Sequence, residues 1–292
     1  MDSPPRTIGL IGGRGQMGRL FQGLFEGDGY RVSIAGRRTE LTYEQLATEV
    51  DVVIVTVPIE RTAEIVARIA PVLRPEQLLS DFTSIKAEPV RAMLATPACV
   101  IGCHPVFGPV PDVTGQNVVL CPARPGPYLE WYRDWFRSHG MHVEIMEPEA
   151  HDAAMGFVQG LTHFVNIAFA HTLDAGGVSV DDLMKVSSPV YRTLFSLMGR
   201  ILGGDAGLYA AIQIQNPHSR KAVKALLENG AELLAAVERE DGEALQRLMG
   251  EAAAHLGEAG KTAREASGRL LERPEPAGAA PNRAKPGQSV KF

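Results

Sequence analysis

Apolar residues in the first half of the chain come in short runs that alternate with amphipathic stretches. Short, uniformly apolar runs are typical of strands that are covered on both faces. After the first run, apolar residues recur at helical spacing, at positions 17, 20, 21 and 24. The runs that predict strands are TIGLIGG, YRVSIAG, DVVIVTVP, QLLSDF, ACVIGC, QNVVLCP and HVEIME. Strands that alternate with helices in this way predict an α/β fold with a doubly wound parallel sheet.

The pattern changes near Glu147, beyond which long helical patterns extend to about Leu271. The stretch EAHDAAMGFVQGLTHFVNIAFAHTLDAGG predicts one helix of about 27 residues, roughly 40 Å long. It is apolar nearly all round, so we expect a partner subunit or a second long helix to cover it. The chain ends in a stretch rich in Pro, Gly and Ala that predicts a disordered tail. We therefore predict an α/β domain over residues 1–148, an all-α domain over 149–272 and a tail over 273–292.

A glycine pattern lies between the first predicted strand and the first predicted helix. Gly13, Gly15 and Gly18 follow the spacing G-x-G-x-x-G. In this context the first glycine permits a tight turn, the second lets the backbone approach a pyrophosphate, and the third lets helix and strand pack closely. We expect these glycines, with Gln16 and Met17 at the start of the helix, to bind a dinucleotide in a Rossmann-type domain.

The end of the second predicted strand bears on which dinucleotide is bound. An enzyme that uses NAD usually has a carboxylate here for the adenosine ribose, but this chain has Gly36, followed by Arg37 and Arg38. Two guanidinium groups suit the 2′-phosphate of NADP, so we favour NADP over NAD. Two alternatives remain, namely a solvated arginine pair and a contact from Glu40 to the ribose.

The third predicted strand ends in Thr56, Val57 and Pro58. Ligands of open α/β sheets bind at the carboxyl ends of the strands, so we expect these residues to line the nicotinamide side of the site. A simpler interpretation of Pro58 is that it ends the strand.

The next two strands are followed by polar side chains that could carry chemistry. Ser84 and Lys86 follow the fourth strand, and His104 ends the fifth. Ser84 either caps the next helix or directs its hydroxyl into the cleft. A dehydrogenase needs a group that accepts the hydroxyl proton as hydride leaves, and a neutral imidazole can do so. We therefore predict a catalytic role for His104, the alternative being a structural histidine.

Charge and composition narrow the class of protein. The net charge of −5 argues against a general nucleic-acid surface. Cys99, Cys103 and Cys121 lack metal-ligand spacing, so we expect reduced, structural cysteines and no metal site. We find neither a signal-peptide pattern nor an uninterrupted apolar run of about 18 residues, so we expect a cytoplasmic protein without a membrane span.

These stretches together resemble the prephenate dehydrogenases, oxidoreductases of tyrosine biosynthesis. The resemblance covers roughly residues 7 to 270. A His-Pro-x-Phe-Gly-Pro loop followed by Glu-x-His-Asp and Leu-x-His-Phe is specific, whereas the glycine loop is generic. The matching stretches are GGRGQMGRLF, DVVIVTVPI, DFTSIK, GCHPVFGP, GQNVVL, EAHDAAMGFVQGLTHF and SSPVYRTLFSLMGRI.

The resemblance implies a Rossmann-type domain followed by a helical domain that forms a homodimer. It also implies oxidative decarboxylation of prephenate, a small dianionic substrate, with NAD or NADP as cofactor. Carried over by position, it gives the following roles: His104 and Ser84 contact the C4 hydroxyl, Lys86 lies near the same site, Arg200 holds a substrate carboxylate, Arg192 has a less defined role, and His151 and His163 line the substrate cleft.

The spacing of the two arginines agrees with a role in binding the substrate. Arg192 and Arg200 are eight residues apart, so a continuous helix puts them on roughly one face, where cations suit a dianion. His151 and His163, twelve residues apart, project to neighbouring faces of one helix. The alternative for each arginine is a surface or interface salt bridge, and the alternative for each histidine is a packed helix residue; for Arg200 we favour the carboxylate contact.

Several alternatives to prephenate stay open. Related enzymes act on 4-amino-4-deoxyprephenate in antibiotic biosynthesis, where an amine replaces the C4 hydroxyl, or on arogenate. A non-catalytic NAD(P)-binding protein could also have this fold. Gly36 departs from the acidic residue that many members of the family carry. The chain leaves room for neither a chorismate mutase nor a regulatory domain, so we do not expect feedback control through one.

Overall fold

The computed structural model describes residues 5–271. All seven predicted strands are present and form a single sheet in the order β2-β1-β3-β4-β5-β6-β7. The predicted tail over 273–292 lies outside the described residues. The strands are β1 (Thr7–Ile11), β2 (Arg31–Ala35), β3 (Val52–Val55), β4 (Leu78–Asp81), β5 (Cys99–Pro105), β6 (Asn117–Arg124) and β7 (His142–Ile145).

Helices follow most of the strands, and the described elements after β7 are all helical. A single π-helical turn, Gly156–Leu161, joins two of them. The helices are α1 (Gln16–Gly27), α2 (Tyr43–Glu49), α3 (Thr62–Ile69), α4 (Ala87–Leu94), α5 (Tyr128–Ser138), α6 (Pro148–Met155), α7 (Thr162–Ala175), α8 (Val180–Lys185), α9 (Pro189–Leu202), α10 (Ala206–Gln215), α11 (Pro217–Glu238) and α12 (Gly242–Leu271).

The sheet is parallel from β2 through β5, as expected, but β6 pairs antiparallel with β5. The predicted doubly wound α/β sheet is therefore confirmed, although the parallel pairing that was predicted does not hold between β5 and β6. The segment between β5 and β6 contains no helix, and without a helical crossover the chain returns antiparallel. β1 lies between β2 and β3, so the strand order reverses direction beside β1, where open α/β sheets bind their ligands.

Apolar side chains cover both faces of the sheet. Ile8 and Leu10 of β1 join one buried cluster with Phe21 and Phe25 of α1. The opposite face of the same sheet has its own cluster, which includes Ile65 of α3. All four residues of β3 are buried, which explains why its sequence is uniformly apolar.

The chain divides into two compact units, and the division differs from the predicted boundary at residue 148. The first unit extends to Gly160 and also includes Gly207–Lys221. The second unit consists of Leu161–Ala206 and the described residues from Ala222 onward. Residues after 148 belong to the first unit because buried polar contacts hold α6 to it, including the bond from the Lys86 backbone N to Asp152 Oδ1 (2.7 Å).

The second unit is helical, as predicted. α7 packs against α9, and the Phe169 and Tyr191 rings lie 6.4 Å apart between centroids. Backbone angles at Gly257 (φ 52°, ψ −134°) break α12. Many large apolar side chains of this unit are exposed, among them Leu197, Leu202, Leu227, Leu233, Leu234 and Val237.

The predicted long apolar helix is present as one helical stretch, Pro148–Ala175, interrupted by the π-helical turn. Of the described residues, only this stretch is long and apolar enough to meet the length and composition criteria for a membrane span. Only 22% of its most apolar 18-residue window is buried within the structure. A helix that a second subunit covers meets the same criteria, so the expectation that no membrane span is present stays a prediction.

Candidate active site

The glycine loop after β1 packs its backbone directly against the backbone that follows β3, at the carboxyl ends of these strands. Gly12 has a φ of +90°, and a Cβ placed there would lie 2.8 Å from the Thr56 carbonyl oxygen. Thr56 in turn donates from its backbone N to the Ile11 carbonyl (2.8 Å). Only glycine combines this conformation with so close an approach. The turn places the loop beside Thr56, Val57 and Pro58, which follow β3 as predicted.

The start of α1 fits the diphosphate of a dinucleotide. A Cβ at Gly18 would lie 2.5 Å from the Gly13 Cα, so the helix packs this closely only because both are glycines. Gly15 is the N-cap residue; no side chain caps the helix, and its first turn carries no acidic residue. The first N–H groups of a helix have no acceptors within it and attract anions. Gly15 and Gln16 are exposed, so these donors are open to a ligand.

The turn after β2 leaves its arginines accessible. The Thr39 hydroxyl accepts from the Gly36 backbone N (2.8 Å) and fixes the turn, while Arg37 and Arg38 are exposed. A Cβ at Gly36 would meet only the Thr39 Cγ2, at 3.9 Å. Glycine is therefore not required by space at this position, and a larger side chain would fit.

The central feature of the site is a chain of hydrogen bonds that ends at His104. His104 is 2% exposed, near the end of β5. Its Nδ1 lies 2.8 Å from His151 Nε2, and His151 Nδ1 lies 2.8 Å from Asp152 Oδ1. The far nitrogen, His104 Nε2, lies 3.4 Å from Gln159 Nε2. Three residues from two elements thus form a directed chain behind one imidazole nitrogen.

The protonation states of this chain follow from burial and charge. Burial raises the pKa of the Asp152 carboxyl, but hydrogen bonds from His151 and from the backbone of Ala87 and Lys86 outweigh it and lower the pKa overall. Burial lowers the pKa of His151, and it lowers that of His104 well below its usual value, with further lowering by His151 and Lys86. Asp152 is therefore a carboxylate, and both imidazoles are neutral near pH 7.

These states orient every proton in the chain. A carboxylate only accepts, so His151 carries its proton on Nδ1 and presents a lone pair at Nε2. His104 Nδ1 donates to that lone pair, which leaves the lone pair of His104 on Nε2. This is the tautomer that a general base needs, with a third group orienting the base.

The Asp152 carboxylate of α6 also caps the N-terminus of α4, and this corrects one interpretation of Ser84. Its Oδ1 accepts from the Lys86 backbone N (2.7 Å) and its Oδ2 from the Ala87 backbone N (3.0 Å). The suggestion that Ser84 caps this helix is therefore wrong, because Lys86 is the N-cap residue and the carboxylate comes from α6. Ser84 is half-buried on the loop between β4 and α4, and its role toward substrate stays a prediction.

The Lys86 side chain contacts the backbone of β5 next to His104. This side chain is fully buried; the ammonium pairs with Asp81 and donates to the Cys103 carbonyl (2.8 Å), one residue before His104. A Cβ at Gly102 would lie 3.1 Å from the Lys86 Cδ, so glycine lets the lysine stem cross the strand. This geometry suits Lys86 better to positioning β5 than to contacting a substrate.

The buried cysteines take no part in this chemistry. Cys99, Cys103 and Cys121 are free and buried, as predicted for reduced structural cysteines. Burial raises the pKa of the Cys121 thiol to about 12, and it raises that of Cys103 as well, so neither is a thiolate nucleophile near pH 7.

The other predicted substrate residues belong to the second unit. Arg192 and Arg200 lie on one continuous helix, α9, as predicted. Both are exposed, and Arg192 Nε donates to the Ser187 hydroxyl (2.9 Å). His163 is half-buried in α7, where burial lowers its pKa. Their roles stay predictions.

Sequence reasoning missed two residues of the site, Asp152 and Gln159. Both lie within the stretch EAHDAAMGFVQGLTHF, which the family resemblance covers. Asp152 directly follows His151 and is 4% exposed, and a buried acidic residue beside a histidine indicates a paired carboxylate. Gln159 could not have been found by spacing, because the π-helical turn changes the direction in which it projects.

Comparison with known proteins gives matches over both parts of the chain. Residues 32–145 match the family described as the nucleotide-binding domain of prephenate dehydrogenase. Residues 147–251 match the family described as its dimerization domain. Together these two matches cover well over half of the chain.

Individual relatives agree with this assignment. A probable arogenate/prephenate dehydrogenase of Methanocaldococcus jannaschii is 35% identical over 87% of this chain, which spans 62% of that relative. A 4-amino-4-deoxyprephenate dehydrogenase of Streptomyces pristinaespiralis is 30% identical over 86% of this chain and 91% of its own length. A prephenate dehydrogenase from A. aeolicus, crystallised with hydroxyphenyl propionate and NAD+, shares the fold (TM-score 0.70, 20% identity, 88% of this chain and 99% of that one).

Proposed function

Because this chain belongs to the prephenate dehydrogenase family, we propose that it catalyses the NAD(P)-dependent oxidative decarboxylation of a cyclohexadienyl acid. Prephenate is the first candidate substrate, and 4-hydroxyphenylpyruvate is then the product. The observation that carries the proposal is the Asp152–His151–His104 chain, which leaves a lone pair on His104 Nε2. The chain spans less than two thirds of the first curated relatives it matches, so their activities support this proposal only by similarity.

His104 supplies the proton transfer in this reaction. When bound, the oxidised nicotinamide supplies the acceptor for the hydride that leaves C4 of the ring. His104 Nε2 accepts the proton of the C4 hydroxyl as the hydride leaves, and the buried Asp152 carboxylate favours the resulting imidazolium through His151. The ring carboxylate leaves as CO2, its bonding electrons complete the aromatic ring, and the proton returns to the phenolic oxygen.

The remaining predicted residues bind rather than react. In this proposal Arg200 holds a substrate carboxylate, with Arg192 as a second cation and His163 toward the side-chain end of the substrate. Among the described residues Arg200 has no salt-bridge partner, so its exposed guanidinium can bind a carboxylate in bidentate fashion. Ser84 shares the C4 contact with His104.

A second candidate substrate is 4-amino-4-deoxyprephenate. The Streptomyces relative named for that substrate matches over 91% of its length, whereas the Methanocaldococcus relative is matched over 62%. The Streptomyces relative is therefore matched over nearly its whole length. A C4 amine offers an N–H to His104 Nε2 in the same position as the hydroxyl.

A turnover assay separates these candidates. The purified protein is mixed with prephenate, 4-amino-4-deoxyprephenate or arogenate, each with NAD and with NADP, and reduced cofactor is followed at 340 nm. We expect turnover of prephenate or of its 4-amino analogue, with arogenate the poorest of the three. Absence of turnover with all three would overturn the proposed function.

We also propose that the cofactor is NADP rather than NAD, on the strength of Arg37 and Arg38 beside Gly36. Replacing both arginines by alanine should lower kcat/KM for NADP about 100-fold, since each lost phosphate contact costs roughly a factor of ten, and change that for NAD by less than about threefold. Gly36→Asp should raise the NAD/NADP preference at least about tenfold, because a carboxylate binds the ribose hydroxyls and repels the phosphate.

The structure suits both cofactor variants, because the arginines are exposed and a Cβ at Gly36 has room. Arg133→Ala is a control on α5, where the half-buried arginine pairs with Glu130 and Asp134, and it should leave both cofactor constants unchanged. Equal losses for NAD and NADP in the double variant would contradict the assignment.

We further propose that the chain acts as a homodimer through its helical part. The match to a family named as a dimerization domain and the exposed apolar side chains of the second unit support this, since monomers seldom expose so many. A second copy is then the cover that the apolar helix requires.

A further inference from the structure

Gln159 is the described side chain that contacts the reactive nitrogen of His104. Its Nε2 lies 3.4 Å from His104 Nε2, so the amide N–H group donates, at long range, to the lone pair that the hydrogen-bond chain leaves there. The other end of the amide, Oε1, is buried and has no hydrogen-bond partner within residues 5–271. A buried carbonyl oxygen without a partner is costly, and an N–H group of a bound substrate would satisfy it.

The backbone around Gln159 is held in an unusual shape. The π-helical turn Gly156–Leu161 inserts an extra residue into the helix and so changes where its side chains project. A Cβ at Gly160 would lie 2.3 Å from the Ser219 Oγ, and one at Gly156 would lie 2.8 Å from the backbone carbon of His218. The two glycines therefore allow the corner between α10 and α11 to press against the turn.

A residue near that corner also supplies a hydrogen-bond donor to the backbone of the π-helical turn. Gln213 Nε2 donates to the Gly160 carbonyl (2.7 Å), and Ser219 is fully buried beneath it. A π-helical turn interrupts the regular helical bonds, and a partner outside the helix stabilises it. The wide turn is therefore built into the fold, and its consequence is that Gln159 faces His104.

We propose that Gln159 is a catalytic residue that binds the C4 substituent of the substrate together with His104. This rests on the proposed function, and it adds a second polar contact to the reacting group. With a C4 hydroxyl, His104 Nε2 accepts the proton while the Gln159 N–H donates to the same oxygen, whose carbonyl character grows as the hydride leaves. With a C4 amine, one N–H bonds to His104 and a second N–H bonds to Gln159 Oε1.

An amide suits this position because it can both donate and accept. A carboxylate of the same size can only accept, and leucine can do neither. The position therefore determines which C4 group the site accepts, and a change of one atom should alter that preference without altering the shape of the pocket.

The first test is Gln159→Leu. We expect kcat for the preferred substrate to fall about 100-fold, which is typical of losing one donor to a developing oxyanion, with KM changed by less than about threefold. Gln22→Leu is the matched control, because within residues 5–271 the Gln22 side chain bonds only to Glu26 of its own helix. A kcat for Gln159→Leu within threefold of the unmodified enzyme would overturn the proposal.

The second test is Gln159→Glu, which a purely structural role would not predict. A carboxylate beside His104 Nε2 removes the donor and favours the imidazolium. The other titratable groups around His104 stay unchanged, namely His151, Asp152, Lys86 and Asp81. We expect the acid limb of the pH profile of kcat/KM to move to higher pH. The ratio of kcat/KM for the 4-amino substrate to that for prephenate should rise at least tenfold.

The two proposals fail in different ways. If the unmodified enzyme turns over none of the cyclohexadienyl substrates, the proposed function fails. If it turns over one of them and Gln159→Glu changes neither the pH profile nor the substrate ratio, only the role of Gln159 fails. Thermal unfolding of both variants shows whether a loss of turnover comes from misfolding.

Discussion

Replacing His104 with asparagine is expected to lower kcat by about 1000-fold, which corresponds to about 4 kcal/mol of transition-state stabilisation. The asparagine amide can still donate to His151 Nε2 in place of the imidazole Nδ1 and keep the local packing, but it cannot take the proton of the substrate. Because the glycine loop and the turn after β2 are untouched, the dissociation constant of the cofactor should change by less than about twofold.

Steady-state rates at 340 nm and a fluorescence titration of reduced cofactor measure these two effects separately. A variant that binds cofactor normally but retains kcat within tenfold of the unmodified enzyme would show that another group accepts the proton. The non-catalytic alternative predicts no turnover in either protein.

The pH dependence of the unmodified enzyme gives an independent check on His104. Burial lowers its pKa well below the usual 6.5, with further lowering by His151 and Lys86. A general base works when it is deprotonated, so activity is lost as the pH falls through this lowered pKa. The acid limb of kcat/KM should therefore lie below pH 6.5, and the limb should be absent in the asparagine variant.

Replacing Asp152 with asparagine should have the second-largest effect, a fall in kcat of about 100- to 1000-fold with little change in KM. The asparagine oxygen can take the place of Oδ1, where it still accepts from the Lys86 backbone N and from His151 Nδ1, while the amide nitrogen faces the Ala87 backbone N–H. The variant has no negative charge to favour, through His151, the imidazolium that forms on His104. The loss therefore falls on the transition state rather than on substrate binding.

Asp51→Asn is the matched control for this variant. Asp51 is also a partly buried carboxylate that accepts backbone N–H groups, from Arg6 and Thr7, but it lies just before β3, at the opposite edge of the sheet from His104. Its pKa is likewise lowered by those bonds, against the effect of burial. We expect the control to lose thermal stability without losing kcat, and equal losses of kcat in both variants would contradict the role given to the Asp152 charge.

Much of the first unit could be predicted from sequence because its signals are local. Uniform apolar runs such as DVVIVTVP report strands covered on both faces, and the glycines around Gly15 report a turn that only they can make. His104 could be predicted for the same reason. Its apolar run shows where β5 ends, and ligands of such sheets bind at the ends of the strands.

The parts that could not be predicted depend on contacts between distant segments. The Asp152 carboxylate reaches Lys86 and Ala87 across 66 and 65 residues of sequence, and no local rule pairs them. Two other features also depend on tertiary structure. β6 is antiparallel because no helix crosses between β5 and β6. The direction of Gln159 depends on the close packing of Ser219 against Gly160. Propensity describes a segment, whereas these features belong to the packing of several segments.

Asp152 has a consequence for how such an enzyme can diverge. One carboxylate starts α4, fixes the tautomer of His151 and counters the charge that forms on His104. A mutation that retunes the base therefore also disturbs the helix start, and one that improves the helix start also disturbs the base. Positions 104, 151 and 152 should show strong epistasis in a combinatorial library, and new substrate preferences should evolve at residues outside this set.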